Sequence, residues 1–289
     1  MKLIKYKSRG EEVYFLEEIL LKLGYKVVVS NYFGKDTHNA VLAFQAKNNL
    51  VADGLVGLKT WSKLMEVEKT LFSFNDKLLS EENLIEFSKE FNLELPKVKA
   101  INEIESQGKG FLIHGRPKIL FEGHVFWREL EKRGVDPNSL LTERTKDVLY
   151  KKWTKVHYKG GAGEYTRLEK AAGMSDKPEV HDAAYCAASW GAFQIMGYHY
   201  ERLGYASVDH FSTEMYEHEK EHLNAFGKFI KHTDFNGKSL LDWLKEDHWV
   251  NFAKGYNGPG YEKNKYDIKL EKAYAFHKKN TVNNSTRLA

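Results

Sequence analysis

Apolar residues that return every three or four positions constrain this chain more than any other feature of it. Val13, Leu16, Leu20 and Leu23 keep that spacing and Gly24 ends it, which predicts an amphipathic helix with one buried stripe. Ser8 and Glu11 stand at capping-box distance in front of it. The pattern resumes after Asp36 with Ala40, Val41 and Phe44, and again at Trp61 and Leu64 beyond the turn signal Asp53-Gly54. Ser80 then caps a further helix carrying Leu84, Phe87 and Phe91 on one side. The expectation is a mainly α protein.

Its 289 residues allow a small domain and a larger one. The divisions expected are a three-helix unit at 1–66, a linker at 67–79, a larger helical domain at 80–280 and a disordered polar tail at 281–289. Glycine-rich breaks fall at 106–115 and 159–163. Apolar residues make up 42% and charged residues 29%, the mix of an ordinary soluble globular protein. No apolar run approaches the length that spans a bilayer. The start, Met1 to Lys7, is charged and lacks the apolar region of a secretory signal, so synthesis in the cytoplasm is expected. A net charge of +4 is too mild to argue for nucleic acid. Most of it sits up front, with eleven basic and eight acidic residues up to position 70. The single cysteine, Cys186, excludes an intramolecular disulfide and lies in the small-residue run 183–188, which predicts a buried structural thiol.

The segment Leu95-Pro96-Lys97-Val98-Lys99-Ala100-Ile101-Asn102-Glu103-Ile104-Glu105-Ser106 is the most informative. Pro96 suits a first helical turn. At about 100° per residue, Val98, Ile101 and Ile104 define the inner stripe, Glu105 falls inside it and Glu103 points to water. A carboxyl among apolar neighbours is desolvated, which raises its pKa and keeps it protonated near neutrality. A general acid that protonates a glycosidic oxygen needs that property. From position alone, a buried glutamate satisfied by a basic partner or a helix N-terminus fits equally well.

Resemblances extend both readings. Gly10, Val13, Leu16, Leu20, Gly24-Tyr25, Gly34, Thr37, Ala40-Val41, Phe44-Gln45, Asp53-Gly54, Val56-Gly57 and Thr60-Trp61 resemble the common peptidoglycan-binding module of three helices; Glu17 departs from it, since that family usually has Gln there. Glu105-Ser106 resembles the catalytic helix of goose-type lysozymes and lytic transglycosylases. Downstream, Ser189-Trp190-Gly191-Ala192-Phe193-Gln194-Ile195-Met196 resembles their Gly-x-x-Gln-Ile cleft segment, and Gly255-Tyr256-Asn257-Gly258-Pro259-Gly260-Tyr261 their Tyr-Asn-Gly segment. Glu105 to Phe111 followed by Gly115 to His124 resembles the N-acetylmuramidase domain of modular phage endolysins, over roughly residues 80–278.

The resemblance implies a lysozyme-like second domain, a monomer that acts on bacterial peptidoglycan without metal or cofactor, and release to the wall by a separate partner. It implies Glu105 as acid, with Glu122 the first candidate for a second catalytic carboxylate and Asp182 and Asp209 weaker ones. Lytic transglycosylases work without a second carboxylate, so that alternative stays open. Tyr256 is expected to position the acid or stabilise charge at the anomeric centre. Gln194, Asn257 and Ser106 are expected to bind sugar, and Trp190 and Phe193 form a possible sugar platform. Trp127, Trp153, Trp243 and Trp249 are assigned to core by default.

Two other classes compete. His218-Glu219-Lys220-Glu221-His222 has the H-E-x-x-H spacing of zinc peptidases, and a helix from Thr213 to Ile230 would put both histidines on one face. No third ligand is evident, and Met215, Phe226 and Phe229 on the same face fit partly buried histidines as well. The other class is a non-catalytic wall-binding protein in which Glu105 only caps the glycine turn.

Overall fold

The computed structural model describes all residues except 1, 68–76, 107–109, 113–114 and 288–289, and at 259 and 281–287 the backbone alone. In chain order it contains α1 (Glu11–Lys22), α2 (Lys35–Lys47), α3 (Leu58–Val67), α4 (Glu81–Phe91), α5 (Leu95–Ile101), β1 (Ile119–Phe121), α6 (Gly123–Lys132), α7 (Gly163–Ala172) and α8 (Pro178–Cys186). There follow β2 (Ala188–Trp190), β3 (Ile195–Met196), α9 (Val208–Glu217), α10 (Glu219–Lys231), β4 (Asp234–Phe235), β5 (Lys238–Ser239), α11 (Leu240–Lys245), α12 (Trp249–Asn257), α13 (Tyr261–Asn264) and α14 (Tyr266–Arg287). The mainly α expectation holds. No described helix is long and apolar enough to cross a membrane.

Two compact units emerge, each made of two stretches of chain: residues 1–76 with 111–184, and residues 77–110 with 185–289. The stretch expected as one domain at 80–280 is thus shared between them. Most of the expected linker lies outside the described residues. The final helix continues to Arg287, where the sequence suggested a disordered tail.

In the first unit, Val13, Leu16 and Leu20 of α1 are fully buried with Phe44 of α2 and Leu64 of α3. Trp61 stacks on Phe15, centroids 5.9 Å apart. The expected Ser8 cap is not used: Gly10 precedes α1 at φ 131°, a conformation that favours glycine. Its N–H is taken by Asn31 Oδ1 at 2.7 Å. Glu17 is buried and accepts from the backbone of Ser30 (2.7 Å) and Asn31 (3.0 Å) and from the Thr37 hydroxyl (2.7 Å). Gln45 closes the Asp53-Gly54 turn by accepting from Gly54 N at 2.9 Å and donating to Asp53 and Thr60. Trp153 is a correction: it is 59% exposed, while Trp127, Trp243 and Trp249 are buried.

In the second unit Ser80 caps α4 with Asn83 in a reciprocal box, and Phe87 and Phe91 stack at 4.4 Å. α5 packs against α14. Lys97, on α5, is buried; its ammonium donates to the Leu244 carbonyl at the end of α11 (2.6 Å) and pairs with Asp247 (2.8 Å). β2 and β3 form an antiparallel hairpin with Ser189 opposite Met196 and Trp190 opposite Ile195. Cys186 is buried, as expected.

Candidate active site

Glu105 stands where α5 gives way to a wider turn. Asn102–Ser106 is a π-helical turn running straight on from α5, a distortion that recurs at functional sites. The Ser106 hydroxyl holds it by donating to the Asn102 carbonyl and to Asn102 Oδ1 (3.0 Å). Ser106 is buried in its own turn and does not line the cleft that Glu105 faces. The wider turn loosens the stripe read from α spacing. Val98 and Ile101 are fully buried, Ile104 and Glu105 are half-buried, and Glu103 is exposed.

The Glu105 carboxyl opens into a cleft of about 400 Å³ within the second unit. Burial pushes its pKa up to about 7, opposed by smaller contributions from an Asn257 hydrogen bond and the charge of Lys269. At neutral pH the group is therefore divided between acid and carboxylate. Of the described residues lining the cleft, it is the only carboxylate.

The β2–β3 hairpin forms another wall. Gly191 sits at φ +71°, and a Cβ there would meet the His222 ring at 2.7 Å, so that position requires glycine. Gln194 adopts φ 52° although it is not glycine, the kind of local strain that a surrounding structure must hold in place. Its amide accepts from Ser189 Oγ (2.9 Å) and donates to the Gly191 carbonyl (2.8 Å). Phe193 stacks on Phe226 at 4.7 Å and lines the cleft. Trp190 does not: it is buried, stacked on Tyr185 at 5.7 Å, and its indole N–H donates to the Tyr185 carbonyl.

Tyr256 and Asn257 close the far side from the end of α12. The Tyr256 ring is stacked on Phe252 and edged by Phe226 and Phe229. Burial first, and then the charge of Glu105, push its hydroxyl well above the usual range, so it stays protonated. It donates to the Phe193 carbonyl at 2.9 Å, bracing the hairpin against α12. Asn257 Nδ2 donates to Glu105 Oε1 at 3.5 Å. Of the residues expected at the site, the structure thus brings Glu105, Phe193, Gln194, Tyr256 and Asn257 to one cleft.

Glu122 belongs to the other unit. Its carboxylate accepts from the Tyr158 hydroxyl at 2.7 and 2.8 Å and lies 3.3 Å from His124 Nδ1. Sequence reasoning missed Tyr198, His199, Phe229 and Tyr266, which also line the cleft. Tyr198-His199 follow Met196 almost directly, and extending that segment would have found them. Tyr266 opens α14 outside any motif, and burial and Glu105 raise its pKa.

The H-E-x-x-H segment is taken apart by the backbone. The helix breaks at His218, which ends α9 and caps α10 by accepting from Lys220 N at 2.8 Å. Glu219 accepts from the backbone of Gly110 (3.0 Å) and Leu79 (2.9 Å). His222 accepts from Ala192 N through Nδ1 (3.1 Å) and donates from Nε2 to the Met215 carbonyl (2.7 Å). Burial lowers its pKa to about 4, keeping it neutral. Both ring nitrogens are committed, so the pair is not arranged to chelate zinc.

Residues 94–278 match the model of the N-acetylmuramidase family. The chain belongs to that family. Residues 9–64 match a putative peptidoglycan binding domain, so a wall-binding module precedes the muramidase domain. The crystal structure of a Burkholderia AP3 phage endolysin is similar at 36% identity and a TM-score of 0.64, over 96% of this chain and 100% of that one. A curated relative, the N-acetylmuramoyl-L-alanine amidase CwlM of Mycobacterium tuberculosis, is 31% identical over 107 residues. That match covers 37% of this chain, which spans only 25% of the relative's length. The family agrees with the lysozyme-like, modular endolysin architecture expected from the motifs.

Proposed function

We propose that this muramidase-family chain cleaves the β-1,4 bond between N-acetylmuramic acid and N-acetylglucosamine in bacterial peptidoglycan, with Glu105 as general acid. The observation that carries the reading is a half-buried carboxyl with a pKa raised to about 7, facing a cleft of sugar-binding size. Its proton goes to the bridging oxygen as the bond from that oxygen to the anomeric carbon breaks. Gln194 and Asn257 offer amides to the acetamido and hydroxyl groups, and Phe193 offers an apolar face. The aromatic packing around Tyr256 holds the hairpin and α12 at the geometry this transfer needs.

One observation favours a second reading. Glu105 is the only carboxylate among the described cleft residues, so the attacking group on the anomeric carbon has one candidate base there. Attack by water yields a reducing N-acetylmuramic end. Attack by the substrate's own 6-hydroxyl, with its proton passing to the Glu105 carboxylate, yields the anhydro sugar of a lytic transglycosylase.

Mass analysis of products from purified peptidoglycan tests both. Reducing N-acetylmuramic ends support the hydrolase, anhydro ends support the transglycosylase, and new amino groups with no new sugar ends would sink both.

A further inference from the structure

The first unit holds a cleft of its own, of about 660 Å³, that the Glu105 chemistry does not use. One wall comes from the wall-binding module, through Arg9, Tyr14 and Asn31; the other comes from the muramidase portion, through Tyr158, Lys159 and Lys170. Both walls are held by buried glutamates. Glu17 takes the backbone N–H groups of Ser30 and Asn31. Glu164, fully buried, takes those of Lys159 (2.6 Å) and Gly160 (3.0 Å). The junction is built for close approach: at Gly161, φ +52°, a Cβ would fall 2.1 Å from Glu11 Cγ.

The charges are uneven. Lys170 is paired with Asp147 at 2.5 Å. Arg9 lies over the Tyr32 ring at 4.2 Å, and neither Arg9 nor Lys159 has a carboxylate partner among the described residues. Two cations without a carboxylate partner flank a roomy cleft that also presents the Asn31 amide and the apolar surface of Val29. That combination suits a short peptide bearing free carboxylates, since guanidinium and ammonium groups hold carboxylates by charge-assisted hydrogen bonds.

We propose that this composite cleft binds the carboxylate-bearing peptide stem of peptidoglycan, and that the module grips the wall jointly with residues 147–170 instead of alone. The proposal rests on peptidoglycan being the substrate, as argued above.

The test uses the full chain carrying Glu105→Gln, which binds without cleaving. Affinity is measured by calorimetry for a GlcNAc–MurNAc disaccharide with a tetrapeptide stem and for the same disaccharide without peptide. The stem-bearing fragment is expected to bind more tightly. Arg9→Glu with Lys159→Glu is expected to weaken it by about tenfold or more and to leave the peptide-free sugar unchanged, a tenfold loss matching one charged hydrogen bond. Arg9→Gln with Lys159→Gln, a milder pair, covers the case in which reversal disturbs folding, and near-UV circular dichroism checks both. Equal affinity for the two fragments, or an unchanged affinity in a folded double variant, overturns the proposal. Displacement of the stem-bearing fragment by inorganic phosphate at equal concentration overturns it too. A wild type that still releases sugar ends from peptidoglycan in those cases leaves the substrate reading standing; one that releases none removes that reading.

Discussion

Asn257 Nδ2 donates to Glu105 Oε1 over 3.5 Å, joining two residues that are 152 positions apart in the chain. A donor favours the ionised carboxylate, so this contact holds the acid's pKa below the level burial alone would set. Asn257→Ala therefore raises that pKa further above about 7, and the alkaline limb of the rate profile moves up in pH. The ratio of kcat/KM at pH 8 to that at pH 6, on soluble glycan oligomers, should rise relative to wild type. An unchanged limb with a reduced rate would mean that Asn257 serves sugar binding alone.

Glu105→Gln should lower sugar release by about 10²- to 10⁴-fold, the usual contribution of a positioned acid. It should also change stability in a pH-dependent way. The raised folded pKa means that the native state holds a proton that the unfolded chain releases between about 4.5 and 7, so wild-type stability falls as pH rises through that window. Glutamine never ionises. Its melting temperature relative to wild type should be higher at pH 8 than at pH 4, and a constant difference would show that Glu105 is not desolvated.

His222→Leu strands the Ala192 N–H and the Met215 carbonyl in a buried site, at about 1–3 kcal/mol each. Urea denaturation at pH 7 should show a loss of that order. With a folded pKa of about 4, wild-type His222 supports the fold above its ordinary pKa of 6.5, and that support is lost as pH falls toward 4. The variant's acid limb should accordingly be shallower. A chelator should leave sugar release by wild type intact; inhibition reversed by added zinc would return the H-E-x-x-H segment to contention.

Lys97→Met removes the cation that caps α11 at Leu244 and pairs with Asp247, below the rings of Trp249 and Tyr274. Stranding the Leu244 carbonyl costs about 1–3 kcal/mol, while loss of the pair with the half-exposed Asp247 adds little, so the denaturation midpoint should drop. Lys97 does not line the Glu105 cleft, and KM for soluble glycan should not move.

Much of this was legible in the sequence because local periodicity carries it. Val13, Leu16 and Leu20 are buried where their spacing placed them, and Ser80 caps α4 as read. Glu105 was found through its apolar neighbours, yet α spacing misjudged Ile104, because the π turn at Asn102–Ser106 depends on Ser106 turning back on Asn102. Nothing in the sequence marks Lys97 for burial, since its partners lie some 147 residues away. The unbroken helix supposed from Thr213 to Ile230 failed for a related reason: His218 is a helix cap, and spacing does not reveal a break in a helix. Trp153 went to the core by default, and only tertiary packing shows it outside. Tyr266 had no motif around it and reaches the cleft only through the placement of α14.

The split of each unit into two stretches of chain has a consequence for synthesis. The turn bearing Glu105 leaves the ribosome early, but its cleft waits for the hairpin at 188–196 and then for Tyr256, Asn257 and Tyr266. A chain halted anywhere before those last residues carries the acid with no cleft around it. Translation must pass Tyr266 before the acid acquires the surroundings that tune it.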